Sequence, residues 1–265
     1  MIKIENISYS IGSAQIIKNL SVNIKKGDFV AVVGENGAGK TTTTKLIAGL
    51  LKATKGTVFL DGKDVKKLRS REIAKIVAYL FQNPDKQICQ KTVREELLFG
   101  LEILDIDEKE KEKRLNEILS IFKINPDDTP FSISRGQRQM LAFASVLITK
   151  PKVLILDEPT TGLDYKECML MMKLVKELNE QGTTVVMVSH DMEIVGDFAK
   201  TVLVLNKGEL LGFGDSETIM KNEKILNQAS VIPPQITSLA MCLGKDFENC
   251  KTAEELAEKI ESRCK

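Results

Sequence analysis

The sequence lacks the features that mark several large classes of protein. Its 265 residues include 38 basic and 37 acidic side chains, so the net charge is +1 and nothing favours nucleic acid as a partner. The longest nearly apolar run, residues 140–148, is too short to cross a bilayer. The first ten residues, MIKIENISYS, show no secretory signal. We therefore expect a folded protein of the cytosolic compartment that does not act on nucleic acid.

Cysteine and histidine are also scarce, and they are not spaced as metal ligands. The cysteines are odd in number and are predicted to be reduced thiols: Cys89, Cys168, Cys242, Cys250 and Cys264. The only histidine, His190, follows a β-rich segment and precedes Asp191. A lone histidine is more often a structural residue than a functional one, so composition alone assigns it no role.

Strand and helix signals alternate along the chain and predict an α/β fold. Apolar runs typical of buried strands occur at residues 29–33, 77–81, 153–156, 183–189 and 201–205. Further strand signals lie at 2–9, 20–24 and 56–62, and a hairpin is predicted at 206–214. Helical character extends from about residue 83 to residue 150. The sequence thus predicts a parallel α/β core that is interrupted by an inserted helical stretch.

The strongest chemical signal is GENGAGKT, residues 34–41, between a buried strand and a helix predicted over 40–51. It matches the G-x-x-x-x-G-K-[ST] pattern of a phosphate-binding loop, whose glycines let backbone N–H groups face a phosphate chain. Lys40 is expected to contact the β- and γ-phosphates, and Thr41 to ligate Mg²⁺. A glycine-rich turn with an incidental lysine is the weaker alternative. The residues expected to contact the nucleotide here are Gly34, Asn36, Gly37, Ala38, Gly39, Lys40, Thr41 and Thr42.

A second signal is KVLILDEPTTGLD, residues 152–164. Its apolar residues place Asp157 at the carboxyl end of a buried strand, where ligands of open α/β sheets bind. Asp157 can hold the hydration shell of Mg²⁺, and Glu158 can orient or deprotonate a water. The alternative is a polar strand end that leads into a turn, which Pro159 and Gly162 would also suit.

These segments resemble those of ATP-binding cassette (ABC) transporter ATPases. The sequences GENGAGKTT, FQNPDKQ, SRGQ, LILDEPT, GLD and SHD occur in the family's order, between Ile4 and about Phe213. The resemblance implies a P-loop NTPase cassette with a parallel-sheet core, an N-terminal antiparallel β part and a helical subdomain over about 84–150. It also implies an ATPase domain over 1–222 and a helical extension over 223–265 that serves dimerisation.

The resemblance assigns catalytic roles to four residues. Glu158 is similar to the general base, and Gln82 to the glutamine that contacts both Mg²⁺ and the attacking water. His190 is similar to the histidine that contacts the γ-phosphate, and Lys40 completes the set. The expected metal-binding residues are Thr41, Gln82 and Asp157. Asp164 resembles the aspartate that lies across a dimer interface near the partner's phosphate loop.

The stretch SISRGQRQM, residues 132–140, resembles the signature segment of the family. In ABC ATPases this helix N-terminus binds the γ-phosphate held by the opposite subunit, which would assign Ser134, Gly136 and Gln137 to a nucleotide shared by two chains. Arg135 and Arg138 would then face the neighbourhood of an anion. The alternative is a capping box of Ser134 and Gln137 with two arginines that extend into solvent.

Two positions depart from the family pattern. Arg135 replaces the first glycine of the signature, which implies altered activity at that half-site. Ile11 stands where an aromatic residue usually stacks on adenine, so weak discrimination between bases is expected. Tyr9 precedes Ile11 by two residues and is a more natural core residue than an adenine platform.

A finer resemblance links the chain to the ATPases of energy-coupling-factor importers, which take up cobalt or vitamins. It rests on FQNPDKQ and on the proline-containing tail, residues 231–244, which precedes a helix predicted from a capping box at Thr252 and Glu255. It implies an identical or paralogous second ATPase subunit, separate transmembrane subunits and a location at the cytoplasmic face of the membrane. Residues 85–90 and 93–98 are then candidates for the surface that receives the membrane partner.

A soluble ABC ATPase that acts as a clamp or assembly factor is the competing class. The clamp proteins of DNA repair carry a long coiled coil between the glutamine segment and the signature, but only about 50 residues separate these motifs here. Translation-factor members carry two cassettes in one chain, whereas this sequence has one. An assembly factor has no sequence feature in its favour.

Overall fold

The structure, a computed structural model, describes residues 1–244, 246–247, 250 and 253–263. The predicted cap at Thr252 and the cysteine at 264 lie outside these residues. The strands are β1 (Ile2–Ile11), β2 (Ala14–Ile24), β3 (Phe29–Val33), β4 (Lys55–Leu60), β5 (Lys63–Asp64), β6 (Val77–Leu80), β7 (Val153–Asp157), β8 (Thr184–Val188), β9 (Thr201–Asn206) and β10 (Glu209–Asp215).

The helices lie mostly between residues 84 and 150 and after residue 190. They are α1 (Lys40–Ile47), α2 (Ser70–Ala74), α3 (Val93–Phe99), α4 (Glu108–Phe122), α5 (Arg135–Leu147), α6 (Tyr165–Glu180), α7 (Met192–Phe198), α8 (Ser216–Met220), α9 (Glu223–Gln228), α10 (Gln235–Leu243) and α11 (Ala253–Arg263). Among the described helices, none is long and apolar enough to span a membrane.

A six-stranded sheet in the order β10-β9-β3-β8-β7-β6 forms the centre of the molecule. Its strands run parallel except for the edge strand β10, which pairs with β9 as the predicted hairpin. Every residue of β3, β7 and β8 is buried, as expected for a parallel sheet that is covered on both faces. Alternate residues of β3 serve two cores: Ala31 and Val33 face one, and Val30 and Val32 face the other.

The two faces of this sheet carry different layers. One core contains α1 and an antiparallel sheet in the order β2-β1-β4-β5, where Ile4 pairs with Val22 on one side and Val58 on the other. The other core contains the inserted helices, with Leu97 of α3 and Phe143 of α5 fully buried. The predicted α/β architecture with an N-terminal antiparallel part and a helical insertion is therefore what the chain adopts.

The segment predicted to receive a membrane partner is only partly exposed at the surface. Ile88, Val93 and Leu97 are buried in the core beneath α5, because α3 and the turn at residues 84–86 both pack against that helix. Their inclusion in a docking surface is therefore wrong. The exposed residues of this segment are Asp85, Lys86, Cys89, Lys91 and Glu95.

Other differences concern the ends of elements. Helix α1 stops at Ile47 rather than at residue 51, because Gly49 adopts φ 69° and the N–H groups of Leu50 and Leu51 bond back to the carbonyl of Lys45. The proline-containing tail holds a helix, α10, which begins directly after Pro234. The short helix α2 carries too few residues for a periodic signal.

Two glycines on β4 and its hairpin turn provide a test of this packing. Gly56 has φ 74°, and a Cβ there would lie 2.3 Å from the carbonyl oxygen of Asn6, whereas Gly62 has φ 77° and open space around it. We expect Gly62→Ala to cost about 1–2 kcal/mol of unfolding free energy, the ordinary penalty for a left-handed alanine. Gly56→Ala should cost roughly 3 kcal/mol or more, because the clash forces β1 and β4 apart.

Equilibrium denaturation of both variants would measure the difference. Equal losses of stability would contradict the close approach of β4 to β1 at Gly56.

Candidate nucleotide-binding site

The phosphate loop connects β3 to α1 and is shaped by its glycines. Gly34, Gly37 and Gly39 all have positive φ angles, of 145°, 85° and 99°. At Gly34 a Cβ would lie 2.1 Å from the carbonyl oxygen of Leu205, so the loop also needs glycine for its close approach to β9. Within the loop Ala38 is buried, Asn36 is exposed, and Thr42 is partly buried in the first turn of α1.

Lys40 is buried and folds back over the loop. Its Nζ donates hydrogen bonds to the carbonyl oxygens of Gly34 at 2.8 Å and Glu35 at 3.0 Å. Burial lowers the pKa of Lys40, while the nearby carboxylates of Glu158, Asp157 and Glu35 oppose that shift. The loop therefore surrounds a buried cation, which is suited to receive a phosphate group.

Asp157 ends β7 opposite the first turn of α1 and is only 3% exposed. Thr41 Oγ1 donates a 2.8 Å hydrogen bond to Oδ1 of Asp157, and the Tyr79 hydroxyl donates a 3.0 Å bond to Oδ2. The same hydroxyl lies 3.1 Å from Thr44 Oγ1. Burial and the Asp157 carboxylate hold the pKa of Tyr79 well above its usual value, so its phenol stays protonated.

The hydroxyl of Thr41 and the carboxylate of Asp157 fit Mg²⁺, which prefers hard oxygen ligands and is usually held by one or two carboxylates together with substrate phosphates. A hydroxyl and a carboxylate that already touch, beside a loop that holds a buried cation, form such a donor set.

Glu158 follows Asp157 and lies between Gln82 and His190. Gln82 Nε2 donates a 2.6 Å hydrogen bond to Glu158 Oε2, and His190 Nδ1 lies 3.7 Å from Glu158 Oε1. Glu158 has φ 49°, a left-handed conformation that is unusual for a residue with a side chain, and its N–H bonds to the carbonyl of Val188 at 3.0 Å. Such backbone strain is often found at functional sites. The arrangement brings three of the four predicted catalytic side chains together.

The signature segment forms the start of α5, where Ser134 and Gln137 make a reciprocal capping box. Ser134 Oγ accepts from the N–H of Gln137 at 3.2 Å, and Gln137 Oε1 accepts from the N–H of Ser134 at 3.0 Å. Among the described residues, no hydrogen bond joins this segment to the phosphate loop of the same chain. The two sets of predicted nucleotide contacts are therefore not connected within one chain.

The two arginines of the signature have different surroundings. Arg138 Nε donates to Asp85 Oδ1 at 2.9 Å, and its NH1 nitrogen donates to the carbonyl of Ile133 at 2.7 Å. The expectation that Arg138 faces an external anion is therefore wrong, because a carboxylate of its own chain neutralises it. The exposed Arg135 instead lies along the turn at Gly162, where a Cβ would be 3.6 Å from its Nε.

Asp164 caps α6 and connects this turn to the signature. Its Oδ1 accepts from the N–H of Glu167 at 2.8 Å, and Glu167 Oε2 accepts from the N–H of Asp164 at 3.1 Å. A Cβ on Gly136 would lie 2.9 Å from that same Oε2, so the first turn of the signature helix is in close contact with the Glu167 carboxylate. The exposed Asp164 and the signature residues thus form one continuous surface.

Sequence reasoning missed Tyr79 as a member of this region, and it did not foresee that Asp85 pairs with Arg138. A signal for Tyr79 existed, because a tyrosine within an apolar strand must find a partner for its hydroxyl.

The two residues near the expected adenine site differ in exposure. Ile11 is 62% exposed, whereas Tyr9 packs against the core beneath β1. Tyr9 is thus a core residue rather than a free platform.

Comparison with known proteins assigns the family. A family model described as ABC transporter matches residues 17–161, which is more than half of the chain. This chain belongs to the ABC transporter family. A curated relative from Caldanaerobacter subterraneus is 44% identical over 241 residues, which cover 90% of this chain but 42% of the relative. The chain thus spans about two-fifths of the length of the first curated relatives that it matches.

Another relative is the energy-coupling factor transporter ATP-binding protein EcfA of Methanothermobacter thermautotrophicus. It is 36% identical, and the match covers 90% of this chain and 78% of the relative. Two solved structures are also similar. CbiO1 of Clostridium perfringens, described as part of the ABC transporter complex cbiONQ, is 30% identical with a TM-score of 0.74, and the match covers 90% of this chain and 97% of that one.

The second structure is a dimer of the ATP-binding cassette MJ0796 in a post-hydrolysis state with ADP and phosphate. It is 31% identical with a TM-score of 0.73, and the match covers 81% of this chain and 98% of that one. These similarities confirm the predicted cassette fold and identify the chain as an ABC-type ATP-binding domain.

The exposed Ile11 leads to a prediction about base selectivity. An aliphatic side chain offers adenine neither ring stacking nor a hydrogen bond, so GTP should compete with ATP with an affinity within about tenfold. Ile11→Tyr should raise the affinity for both nucleotides severalfold, since stacking of a base on an aromatic ring is worth about 1–3 kcal/mol. Competition against a fluorescent ATP analogue would measure both effects. Ile121→Tyr, at an exposed position on α4, is the matched control, and an equal gain there would contradict the placement of adenine at Ile11.

Proposed function

We propose that this chain is the ATP-hydrolysing subunit of an ABC importer of the energy-coupling-factor type. It would drive the uptake of a metal ion or vitamin through separate membrane subunits. The observation that carries the hydrolytic part is the pairing of two contacts on adjacent residues: Thr41 with Asp157 at 2.8 Å, and Gln82 with Glu158 at 2.6 Å. One contact suits a metal ion and the other suits an attacking water.

The residues of the site divide the chemistry among them. Lys40 would exchange its two loop carbonyls for the β- and γ-phosphates, a trade that keeps the buried ammonium solvated by oxygen. Thr41 and Asp157 would hold Mg²⁺, which when bound would neutralise charge on the phosphates. Glu158 would accept the proton of the attacking water, while Gln82 orients that water beside it. His190 would contact the γ-phosphate from the far side of Glu158.

A second cassette would complete the site. The exposed residues Ser134, Gln137 and Asp164 and the half-buried Gly136 make no hydrogen bond to the phosphate loop among the described residues, and the similar cassette MJ0796 is described as a dimer. A head-to-tail pair would place the signature of each chain on the phosphate loop of the other. We assign the tail, residues 223–265, to the same pairing, because it exposes the apolar side chains of Ile232, Leu239 and Leu243.

The importer part of the proposal is supported by the EcfA and CbiO1 relatives and by the FQNPDKQ segment. In this chain Gln87 of that segment donates to the carbonyl of Ala142 at 2.8 Å, and Asp85 pairs with Arg138. A membrane partner that pressed on the exposed residues between 85 and 95 would therefore move α5, and with it the signature. The ATPase subunit would then lie at the cytoplasmic face of the membrane.

The proposal is tested by affinity purification of the tagged chain from gently solubilised native membranes, followed by mass spectrometry. Recovery of a polytopic membrane protein, with or without a second cassette, supports an importer subunit. Recovery from the cytosol alone, with soluble partners, would instead indicate the clamp or assembly class.

Ser134→Arg is expected to spare ATP binding and to lower hydrolysis about 100-fold or more, because it blocks the contact with the partner's γ-phosphate. The substitution also removes a helix cap, so Thr92→Arg, which breaks the equivalent capping box of α3, is the matched control. Steady-state phosphate release would compare the two variants. Unchanged turnover in Ser134→Arg would contradict a site made by two chains.

Mixing two inactive variants sharpens this test. A dimer of one Ser134→Arg chain and one Lys40→Ala chain contains one site with both substitutions and one site with neither. Random pairing should therefore restore about a quarter of the parental activity if the sites act independently. A mixture no more active than either variant alone would contradict a shared site whose two copies act independently.

A further inference from the structure

Asp157 is held at both of its carboxylate oxygens by hydroxyl groups from two different elements. Thr41 of α1 donates to Oδ1 at 2.8 Å, and Tyr79 of β6 donates to Oδ2 at 3.0 Å. Thr41 belongs to the phosphate-loop motif, but Tyr79 belongs to no motif in the sequence. Its hydroxyl is nonetheless the second direct partner of the carboxylate on which the metal site depends.

The number of available protons decides which group donates in the hydrogen bond between Tyr79 and Asp157. A phenol has one proton, and an ionised carboxylate can only accept, so the proton of Tyr79 must point at Asp157. The nearby Thr44 hydroxyl, 3.1 Å from the phenol oxygen, donates to the carbonyl of Thr41 at 3.0 Å. Tyr79 thus cannot turn its proton elsewhere without leaving one oxygen of a buried carboxylate unpaired, which is costly.

The ring of Tyr79 is also fixed in place. Strand β6 pairs in parallel with β7, the strand that carries Asp157, and the Tyr79 and Phe81 rings lie 4.7 Å apart. The hydroxyl therefore approaches Asp157 from a neighbouring strand of the same sheet, with little freedom to move. A hydrogen-bond donor at this fixed position favours one rotamer of the Asp157 side chain.

We propose that Tyr79 is a positioning residue that holds Asp157 by Oδ2, so that Oδ1 stays on Thr41 and the Mg²⁺ site exists before nucleotide arrives. The inference rests on the proposed function. Groups that orient a metal ligand commonly change metal affinity about 10–100-fold when they are removed. If the Tyr79 hydroxyl only satisfied its own hydrogen bond, its removal would lower the free energy of unfolding. The Mg²⁺ dependence of ATP binding would then stay the same.

The test is Tyr79→Phe in a Glu158→Gln background, which prevents hydrolysis and lets binding be measured at equilibrium. The dissociation constant of ATP is measured by fluorescence in EDTA and across a series of free Mg²⁺ concentrations. In EDTA the variant should bind ATP within about twofold of its parent, because Lys40 and the loop are unchanged. The Mg²⁺ concentration for half-maximal enhancement of binding should rise about tenfold.

Two further variants separate positioning from packing. Tyr9→Phe removes the hydroxyl of another partly buried tyrosine, which lies on β1 and makes no hydrogen bond to Asp157 among the described residues, and should leave the Mg²⁺ midpoint unchanged. Thr44→Val removes the other neighbour of the Tyr79 hydroxyl but leaves the bond to Asp157, so its Mg²⁺ midpoint should move less than about threefold. Thermal unfolding without nucleotide, in EDTA, verifies that each variant is folded.

The outcomes are distinct. A parent that gains no ATP affinity from Mg²⁺ would overturn the proposed function and the inference with it. A parent with normal Mg²⁺ dependence and a Tyr79→Phe variant with the same midpoint would overturn the inference alone. A shift in Thr44→Val as large as that in Tyr79→Phe would also overturn it, because the hydroxyl would then act through packing. Should Tyr79→Phe fail to fold, a Thr44→Val midpoint shifted about tenfold would still overturn the inference.

Discussion

The negative charge of Asp157 is buried at the carboxyl end of β7, and the geometry of the site depends on how that charge is compensated. An unpaired buried ion costs several kcal/mol, so a carboxylate that is 3% exposed needs hydrogen-bond donors on both oxygens. Thr41 and Tyr79 supply them, and the buried Lys40 adds an attractive charge nearby. These contacts join the first turn of α1 and strand β6 to the end of β7. The same arrangement leaves the phosphate loop, the carboxylate and Glu158 side by side.

The end of β6 connects this buried charge to the helical insertion. Tyr79 anchors the strand to the core, and beyond it Gln87 accepts from the N–H of Phe81 at 3.2 Å and donates to the carbonyl of Ala142 on α5. The ion pair of Asp85 and Arg138 adds a second tie to α5. Gln82 lies between these fixed points. The contact of Gln82 with Glu158 therefore lies in the segment that joins β6 to the helical insertion.

Much of the fold could be predicted from local patterns. Strands buried on both faces appear as unbroken apolar runs, and β3, β7, β8 and β9 lie where those runs are. The phosphate loop was visible because its glycines and lysine are consecutive. The end of α1 was not, because a left-handed Gly49 and a continued helix are both compatible with the sequence around it. The buried side of α3 was also missed, since periodicity does not say which neighbour a helix covers.

The sequence by itself determined which chemical groups are available and on which elements they lie: a phosphate loop, two acidic residues after a buried strand, and a capped helix with two arginines. Only the tertiary structure decided which of these groups meet. Thr41 and Asp157 are 116 residues apart, Gln82 and Glu158 are 76 apart, and Arg138 and Asp85 are 53 apart. Hydrophobic burial leaves a periodic record along the chain. The partners of a polar side chain, by contrast, are set by how sheets and helices pack, and that packing brings distant residues together without any local trace.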